Sequence, residues 1–232
     1  MTNFARHSYL DTPERLSSTA YPQSSAPSAV FLVDDDASVR TALTRLIKVA
    51  GYAVQAFASA RDFLEYWRAS DQNLGCLVLD VRMPGLSGLD LQHELQAANT
   101  LLPIIFITGH GNIPMSVKAM KEGAADFLLK PIKDKDLLKA IEQALARASH
   151  DYAERLEVEE IQRRLTSLTP REREVMTLVV RGLLNKQIAF ELGTVEKTVK
   201  VHRARVIQKM EVQSLAELVR LAEKVGIPEK KR

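Results

Sequence analysis

The sequence predicts two folds in series, a doubly wound α/β unit with five parallel strands and then an all-α unit of four helices. Three observations carry this. From residue 30 to about residue 149, short apolar runs alternate with helical patterns, and each run stops at a polar residue or a turn. From Pro170 onward only helical periodicities remain, punctuated by Gly182 and Gly193. Charge divides the chain at the same place: residues 30–149 carry 13 Lys and Arg against 14 Asp and Glu, whereas residues 166–232 carry 14 against 8. The overall +3 therefore hides a near-neutral front and a +6 tail, which points to a polyanionic partner for the tail.

Residues 1–28 are rich in Ser, Thr, Ala and Pro without sustained apolar periodicity, so a disordered leader is expected. The first strand, Val30 to Val33, stops at Asp34, Asp35 and Asp36. A helix from Ser38 to Val49, a stop at Gly51, a short strand from Ala53 to Phe57 and a helix from Ala60 to Ala69 follow. Cys76-Leu77-Val78-Leu79 is a buried-strand run ending at Asp80, and a helix from Leu89 to Ala98 comes next. Ile104 to Ile107 ends at Thr108, a helix spans Met115 to Lys121, Phe127 to Leu129 ends at Lys130-Pro131, and a helix begins at Lys135. No Gly or Pro lies between Pro131 and Pro170, and Leu138, Ile141, Leu145, Ala148 and Tyr152 recur at helical steps. One long helix is expected to leave the first unit. Its apolar pattern slips at Arg155 and Glu159 before Val158, Ile161, Leu165 and Leu168 restart it, which favours a docked linker helix over a continuous coiled coil.

In the tail, Thr169-Pro170-Arg171-Glu172 combines a capping box with proline at the first helical position. That helix ends at Gly182, a short one spans Lys186 to Leu192, Gly193 marks a turn, and helices from Glu196 to Met210 and Leu215 to Val225 complete the unit. Two helices joined by a tight glycine-containing turn form a helix-turn-helix pattern. The expected division is a leader at 1–28, an α/β domain at 29–149, a helical linker at 150–166 and the helix-turn-helix domain at 167–232.

With 46% hydrophobic and 26% charged residues the chain is globular. Cys76 is the only cysteine, so no intramolecular disulfide forms, and the histidines at 7, 93, 110, 150 and 202 lack ligand spacing. No apolar run approaches the roughly 20 residues of a membrane helix, and the expected setting is cytoplasmic.

In an open parallel sheet the carboxyl ends of the strands share one edge, where sites are built. Asp34, Asp35, Asp80, Thr108 and Lys130 are expected to meet there. Crowded carboxylates need a cation or a raised pKa, and Mg²⁺ suits hard oxygen ligands. One carboxylate can then attack phosphorus while Lys130 and Thr108 supply a cation and a hydroxyl donor to phosphoryl oxygens. Taken singly, the acidic run reads as a helix cap, which is the role expected of Asp36, Thr108 as a strand-end threonine and Lys130 as a surface lysine. Four strand ends bearing mutually useful chemistry outweigh those separate readings. In the tail, setting Val199 at the core face of its helix puts Val206, Met210 and His202 beside it. Lys197, Lys200, Val201, Ala204, Arg205 and Gln208 then face outward. The plain alternative is a solvated basic helix.

Val33-Asp34-Asp35-Asp36, Leu79-Asp80-Val81-Arg82-Met83-Pro84-Gly85, Ile107-Thr108-Gly109-His110-Gly111 and Leu129-Lys130-Pro131 resemble the flavodoxin-like receiver domain of bacterial two-component response regulators. The resemblance implies that Asp80 is the phosphoacceptor and that Asp34, Asp35, Asp80 and the backbone carbonyl of Arg82 bind Mg²⁺. It also makes Thr108 and Phe127 the switch residues, Lys130 the phosphate partner, Lys130-Pro131 a cis bond, and Arg82 and His110 the groups flanking the hydrolytic water. Residues 168–227, through Leu168-Thr169-Pro170-Arg171-Glu172, Asn185-Lys186-Gln187-Ile188-Ala189 and Lys197-Thr198-Val199-Lys200-Val201-His202-Arg203, resemble the LuxR-type DNA-binding domain. DNA contacts are then implied for Lys186, Lys197, Thr198, Lys200, Val201, Arg203 and Arg205. The whole is similar to FixJ/NarL-type regulators, nearest FixJ. It implies a non-enzymatic transcription regulator, phosphorylated by a sensor histidine kinase, that dimerises, binds promoter DNA in the major groove and meets RNA polymerase. One departure is Val195, where the family usually carries Ser or Thr as a helix cap; either Thr194 caps one residue earlier or the missing cap costs about 1 kcal/mol. Ala204 also leaves a base-facing position without a hydrogen-bonding group. Two alternatives stay open: an interaction adaptor with a dimerising tail, and a magnesium-dependent phosphatase of the haloacid dehalogenase type, whose second acid is replaced here by Arg82.

Overall fold

A computed structural model describes residues 29–70, 74–109 and 113–227. The leader expected at 1–28 and His110 lie outside the described residues. The first unit alternates β1 (Ala29–Val33), α1 (Ala37–Val49), β2 (Ala53–Phe57), α2 (Ala60–Ala69), β3 (Gly75–Asp80), α3 (Gly88–Ala97), β4 (Ile104–Thr108), α4 (Ile113–Lys121) and β5 (Asp126–Leu129) before α5 (Asp134–Thr166). The strands are all parallel in the order β2-β1-β3-β4-β5. This order reverses direction between β1 and β3, and an open sheet offers its binding crevice at that reversal.

The continuous apolar runs are explained by burial on both faces. Successive side chains alternate, so Phe31, Val33, Leu77, Leu79 and Phe106 enter one core with Phe63 and Trp67 of α2 and Leu91 and Leu95 of α3. Val30, Leu32, Cys76, Val78, Ile105 and Ile107 enter the opposite core with Ile47 of α1 and Leu137, Ile141 and Leu145 of α5. Only β2, an edge strand, is largely exposed. Gly75 and Gly88 are fixed by close approach: a Cβ would stand 2.2 Å from the Ala29 carbonyl oxygen in the first case and 2.3 Å from that of Asp80 in the second.

The 33-residue α5 runs unbroken through the place where its apolar pattern slips. Its first half packs on the sheet through Ala144 and Leu145, and Ile161 enters the tail's core. Between them Arg155 and Glu159 pair at 2.9 Å on an exposed stretch. The slip therefore marks the segment between two cores, where no apolar stripe is required.

The tail comprises α6 (Pro170–Val180), α7 (Asn185–Glu191), α8 (Glu196–Lys209) and α9 (Leu215–Lys224). Val175, Val179, Ile188, Val199, Val206, Met210 and Leu218 form its core. The capping box at Thr169 and Glu172 is present. Gly182 and Gly193 hold φ of +80° and +60°, left-handed turns that glycine takes without strain.

Candidate functional site

The carboxyl edge of the sheet gathers the expected polar groups beside the crevice. Asp34 follows β1 and is fully buried; Asp80 ends β3 and is 7% exposed; Asp35 lies at the surface. One carboxylate oxygen from each lies within 4.8 Å of the others. Lys130, the first residue after β5, extends between two of them, with Nζ 2.7 Å from Asp34 Oδ2 and 2.6 Å from Asp80 Oδ2. The remaining oxygens are held by backbone: Asp36 N–H donates to Asp34 Oδ1 at 2.9 Å and Arg82 N–H to Asp80 Oδ1 at 3.1 Å. Arg40 of α1 donates to the carbonyls of Asp34 and Asp35 at 2.7 and 3.2 Å, fixing the loop that carries both acids.

One ammonium serves two carboxylates, so the pocket keeps net negative charge. Burial pushes the Asp34 carboxyl up against the opposing pull of the Lys130 hydrogen bond and charge. Burial alone would lower Lys130, but its hydrogen bonds and ion pairs with Asp34 and Asp80 together outweigh burial and raise it. The donor set fits a hard divalent cation: three carboxylates of which two are preordered, all oxygen, at one strand edge.

Thr108 ends β4 and is buried, and its carbonyl accepts the Lys130 N–H at 2.8 Å. Phe127 is half-buried in β5, its ring 6.2 Å from that of Phe106. The Lys130–Pro131 bond is cis. Asp36 has the plain role expected of it, capping α1 by accepting from Ser38 and Val39 N–H at 2.8 and 3.2 Å, bonds that lower its carboxyl pKa.

In the tail, α8 turns Val199 and Val206 inward and leaves Lys197, Lys200, Val201, Ala204, Arg205 and Gln208 exposed. Lys186 is exposed in the first turn of α7, and Thr198 is half-buried. Arg203 is half-buried and donates to Asn185 Oδ1 at 2.7 Å, which joins α8 to the start of α7. Of the two outcomes open at the start of α8, the missing cap is the one found. Val195 itself is the N-cap of α8, and no side chain accepts from the first turn. Its extended backbone leaves a valine where a hydroxyl would reach the orphan N–H groups.

Three features escaped the sequence reading. Arg40 had no signal beyond being a base early in a helix. The Asn185–Arg203 bond links residues 18 apart that only the turn brings together. Gln92 of α3 is 1% exposed and donates to the Ala119 and Glu122 carbonyls at 3.3 and 2.8 Å, tying α3 to the end of α4. A polar residue in an apolar stripe was its only trace.

Residues 30–142 match the response regulator receiver domain, and residues 166–222 match the bacterial regulatory proteins of the luxR family. Nodulation protein W of Bradyrhizobium diazoefficiens is 48% identical over 207 residues, spanning 89% of this chain and 90% of that protein. Transcriptional regulatory protein FixJ of Azorhizobium caulinodans is 43% identical over 198 residues, 85% of this chain and 93% of that one. Among solved structures, the response regulator StyR is 50% identical with a TM-score of 0.77, covering 86% of this chain and 100% of its own. Full-length FixJ from B. japonicum is 42% identical with a TM-score of 0.53, covering 87% and 98% respectively. Since both halves match in this order and the relatives run along nearly the whole chain, it belongs to the LuxR-type two-component response regulators, transcription regulators that join a receiver to a DNA-binding domain.

Proposed function

We propose that Asp80 is the phosphoryl acceptor and that its phosphorylation, by a sensor histidine kinase, promotes dimerisation and promoter binding. The reading rests on one observation: a single lysine bridges the strand-end Asp80 to a buried second aspartate. An Asp80 oxygen forms the new bond to phosphorus as the phosphorus–nitrogen bond of a phosphohistidine breaks, and the electron pair leaves on the imidazole. Mg²⁺, held by Asp34, Asp35, Asp80 and the Arg82 carbonyl, would neutralise phosphoryl oxygens during the transfer. Lys130 exchanges its Asp80 contact for a phosphoryl oxygen. The Thr108 hydroxyl donates to another, and Phe127 packs inward into the space left beside β4.

A receiver at 29–149, a linker at 150–166 and a DNA-binding domain at 167–232 are supported by separate cores, with Ile161 and Leu165 of the linker packing on the second. α8 enters the major groove with Lys200, Val201 and Arg205 toward bases and Lys186, Lys197 and Thr198 toward phosphates. Arg203 positions α8 through Asn185 rather than reaching DNA directly. Two protomers read two half-sites and present a surface to RNA polymerase, in the cytoplasm. No described helix is long and apolar enough to cross a membrane. A phosphatase of the haloacid dehalogenase type is disfavoured because Arg82, not an acid, stands two residues after Asp80.

Labelling by acetyl phosphate with Mg²⁺ tests the assignment. Asp80→Asn should abolish acid-labile label and phosphorylation-enhanced DNA binding together. Undiminished label on that variant would move the acceptor elsewhere.

A further inference from the structure

A cavity of 210 Å³ opens at the amino edge of the receiver sheet, the end away from Asp80. Trp67 of α2 and Leu101 before β4 supply the receiver's share of its wall, and Ala148, Tyr152 and Leu156 supply the share of α5. A small residue keeps it open. Along one face of α5 come Leu145, Ala148 and Tyr152, and the buried methyl group of Ala148 leaves space that a larger side chain would fill. The indole of Trp67 packs against Phe31 and Phe63 at ring separations of 5.6 and 5.8 Å, so that part of the wall is preformed. Leu101, Tyr152 and Leu156 converge here while remaining 46%, 38% and 46% exposed. Scattered exposed apolar residues need no explanation, but a concave cluster of them marks a binding site.

Size, ring content and rim charge together decide what fits. An apolar cavity of about 150 Å³ takes benzene, so this slightly larger one holds a single ring with a short substituent. It is too small to bury the roughly 1,000 Å² that a stable protein interface needs, which argues against a second copy as the occupant. Trp67 and Tyr152 favour an aromatic guest over an aliphatic one, because ring pairs attract beyond the area they bury. On the solvent side stand Arg155 and Glu159, each half-exposed and paired at 2.9 Å. A ligand carboxylate would meet Glu159 as a like charge, and an amine would meet Arg155. A neutral hydroxyl avoids both: it donates to the carboxylate and accepts from the guanidinium, leaving the ion pair in place.

We propose that this cavity binds a small phenol, a single aromatic ring bearing a neutral hydroxyl, with the ring among Trp67, Tyr152 and Leu156 and the hydroxyl at Arg155 and Glu159. Because the receiver and α5 each supply part of the wall, occupancy favours the arrangement in which the stretch of α5 leading to the DNA-binding domain lies against the receiver. The site does not depend on the phosphoryl chemistry proposed for Asp80, and neither does its test.

Trp67 is the only tryptophan in the chain and lines the cavity, so a single indole N–H resonance reports occupancy in the full chain. Phenol itself should shift that resonance saturably, with half-saturation at about a millimolar or below, the range open to so few non-hydrogen atoms. Cyclohexanol lacks the ring and benzoate the neutral hydroxyl, so each should bind about fivefold more weakly or worse. Ala148→Leu fills the cavity and Leu156→Glu places a charge in its wall, and each should weaken phenol by about tenfold or more. Leu156 is half-exposed, so its variant keeps the test valid should Ala148→Leu disturb the packing of α5. A shift that only grows linearly with phenol, or one that keeps the parent's half-saturation in either variant, would overturn the proposal. Cyclohexanol or benzoate binding as tightly as phenol would overturn the ligand class. Movement of the resonance with protein concentration alone would also overturn it, by assigning the cavity to a second copy.

Discussion

Replacing Glu172 by Gln should loosen α8, by an amount that depends on pH in a definite direction. Glu172 is 2% exposed at the start of α6, and its Oε2 accepts from Thr169 N–H at 2.9 Å and from Lys209 Nζ at 2.6 Å. Lys209 is the last residue of α8, so the pair fastens the far end of that helix to the capping box. The Lys209 hydrogen bond, followed by the Thr169 backbone N–H, brings the carboxyl from its ordinary 4.5 down to about 2. At about 1.4 kcal/mol per pH unit that displacement corresponds to roughly 3 kcal/mol, and screening at the one-third-exposed Lys209 side chain trims it to about 1–3 kcal/mol. A depressed carboxyl contributes stability that is present above the unfolded pKa and lost as pH falls toward the folded one. The difference between parent and Glu172→Gln should therefore be full at neutral pH and less than half as large by about pH 3. Urea unfolding followed through the methyl resonances of buried Val175 and Met176 isolates the tail from the receiver. Glutamine can still accept from Thr169. A difference that stays the same from neutral to acid pH would mean the loss arises from packing or the cap and not from the charge.

Val195→Ser should stabilise the tail by about 1 kcal/mol, by supplying the acceptor that the start of α8 lacks; an unchanged urea midpoint would show those N–H groups already satisfied. Lys200→Ala should cost roughly 1–3 kcal/mol of discrimination at particular base pairs. Lys197→Ala should weaken all sequences alike and reduce the salt slope by about 1. Binding curves on cognate and scrambled DNA separate the two, and uniform loss from Lys200→Ala would reassign it to phosphate. Arg82→Ala, at an exposed side chain beside the acceptor, should speed loss of acid-labile phosphate, and an unchanged decay rate would remove Arg82 from the water's path.

The first domain was legible because its strands combine two signals. Val30 to Val33 and Cys76 to Leu79 are too short and too uniformly apolar for surface helices, and each ends at a chemically useful residue, so fold and site appeared together. The acid edge survived intact for that reason: parallel pairing forces Asp34, Asp80, Thr108 and Lys130 to one end of the sheet whatever the loops do. Helix starts were less legible. α4 begins at Ile113, ahead of the expected Met115. At α8 the turn decides between the two readings: Thr194 has the right chemistry, but the turn closing through its N–H to the Ala189 carbonyl leaves Val195 in the cap position. Sequence spacing reports which groups are present, whereas a turn decides which one faces the orphan donors.

The coupling between chemistry and surface can be located in Lys130. Before phosphorylation its ammonium is shared, at nearly equal distances, between Asp34 and Asp80. With Asp80 as the proposed acceptor, an acyl phosphate would replace its single charge by a group of roughly −1.5 to −2, and the ammonium would be drawn from a shared position to the larger charge. Asp34, fully buried and already raised by burial, would then need another cation, and Asp34, Asp35 and Asp80 are the residues that would hold a divalent one. The exchange cannot stay local. Lys130 is hydrogen-bonded through its N–H to Thr108 and follows β5 directly, so a shift of its side chain bears on the strand carrying Phe127 and on the end of β4. A pocket with two carboxylates and two lysines would be neutral beforehand and would have no such exchange to transmit; on the proposed chemistry, sharing one cation between two acids would make this edge of the sheet responsive to a phosphoryl group.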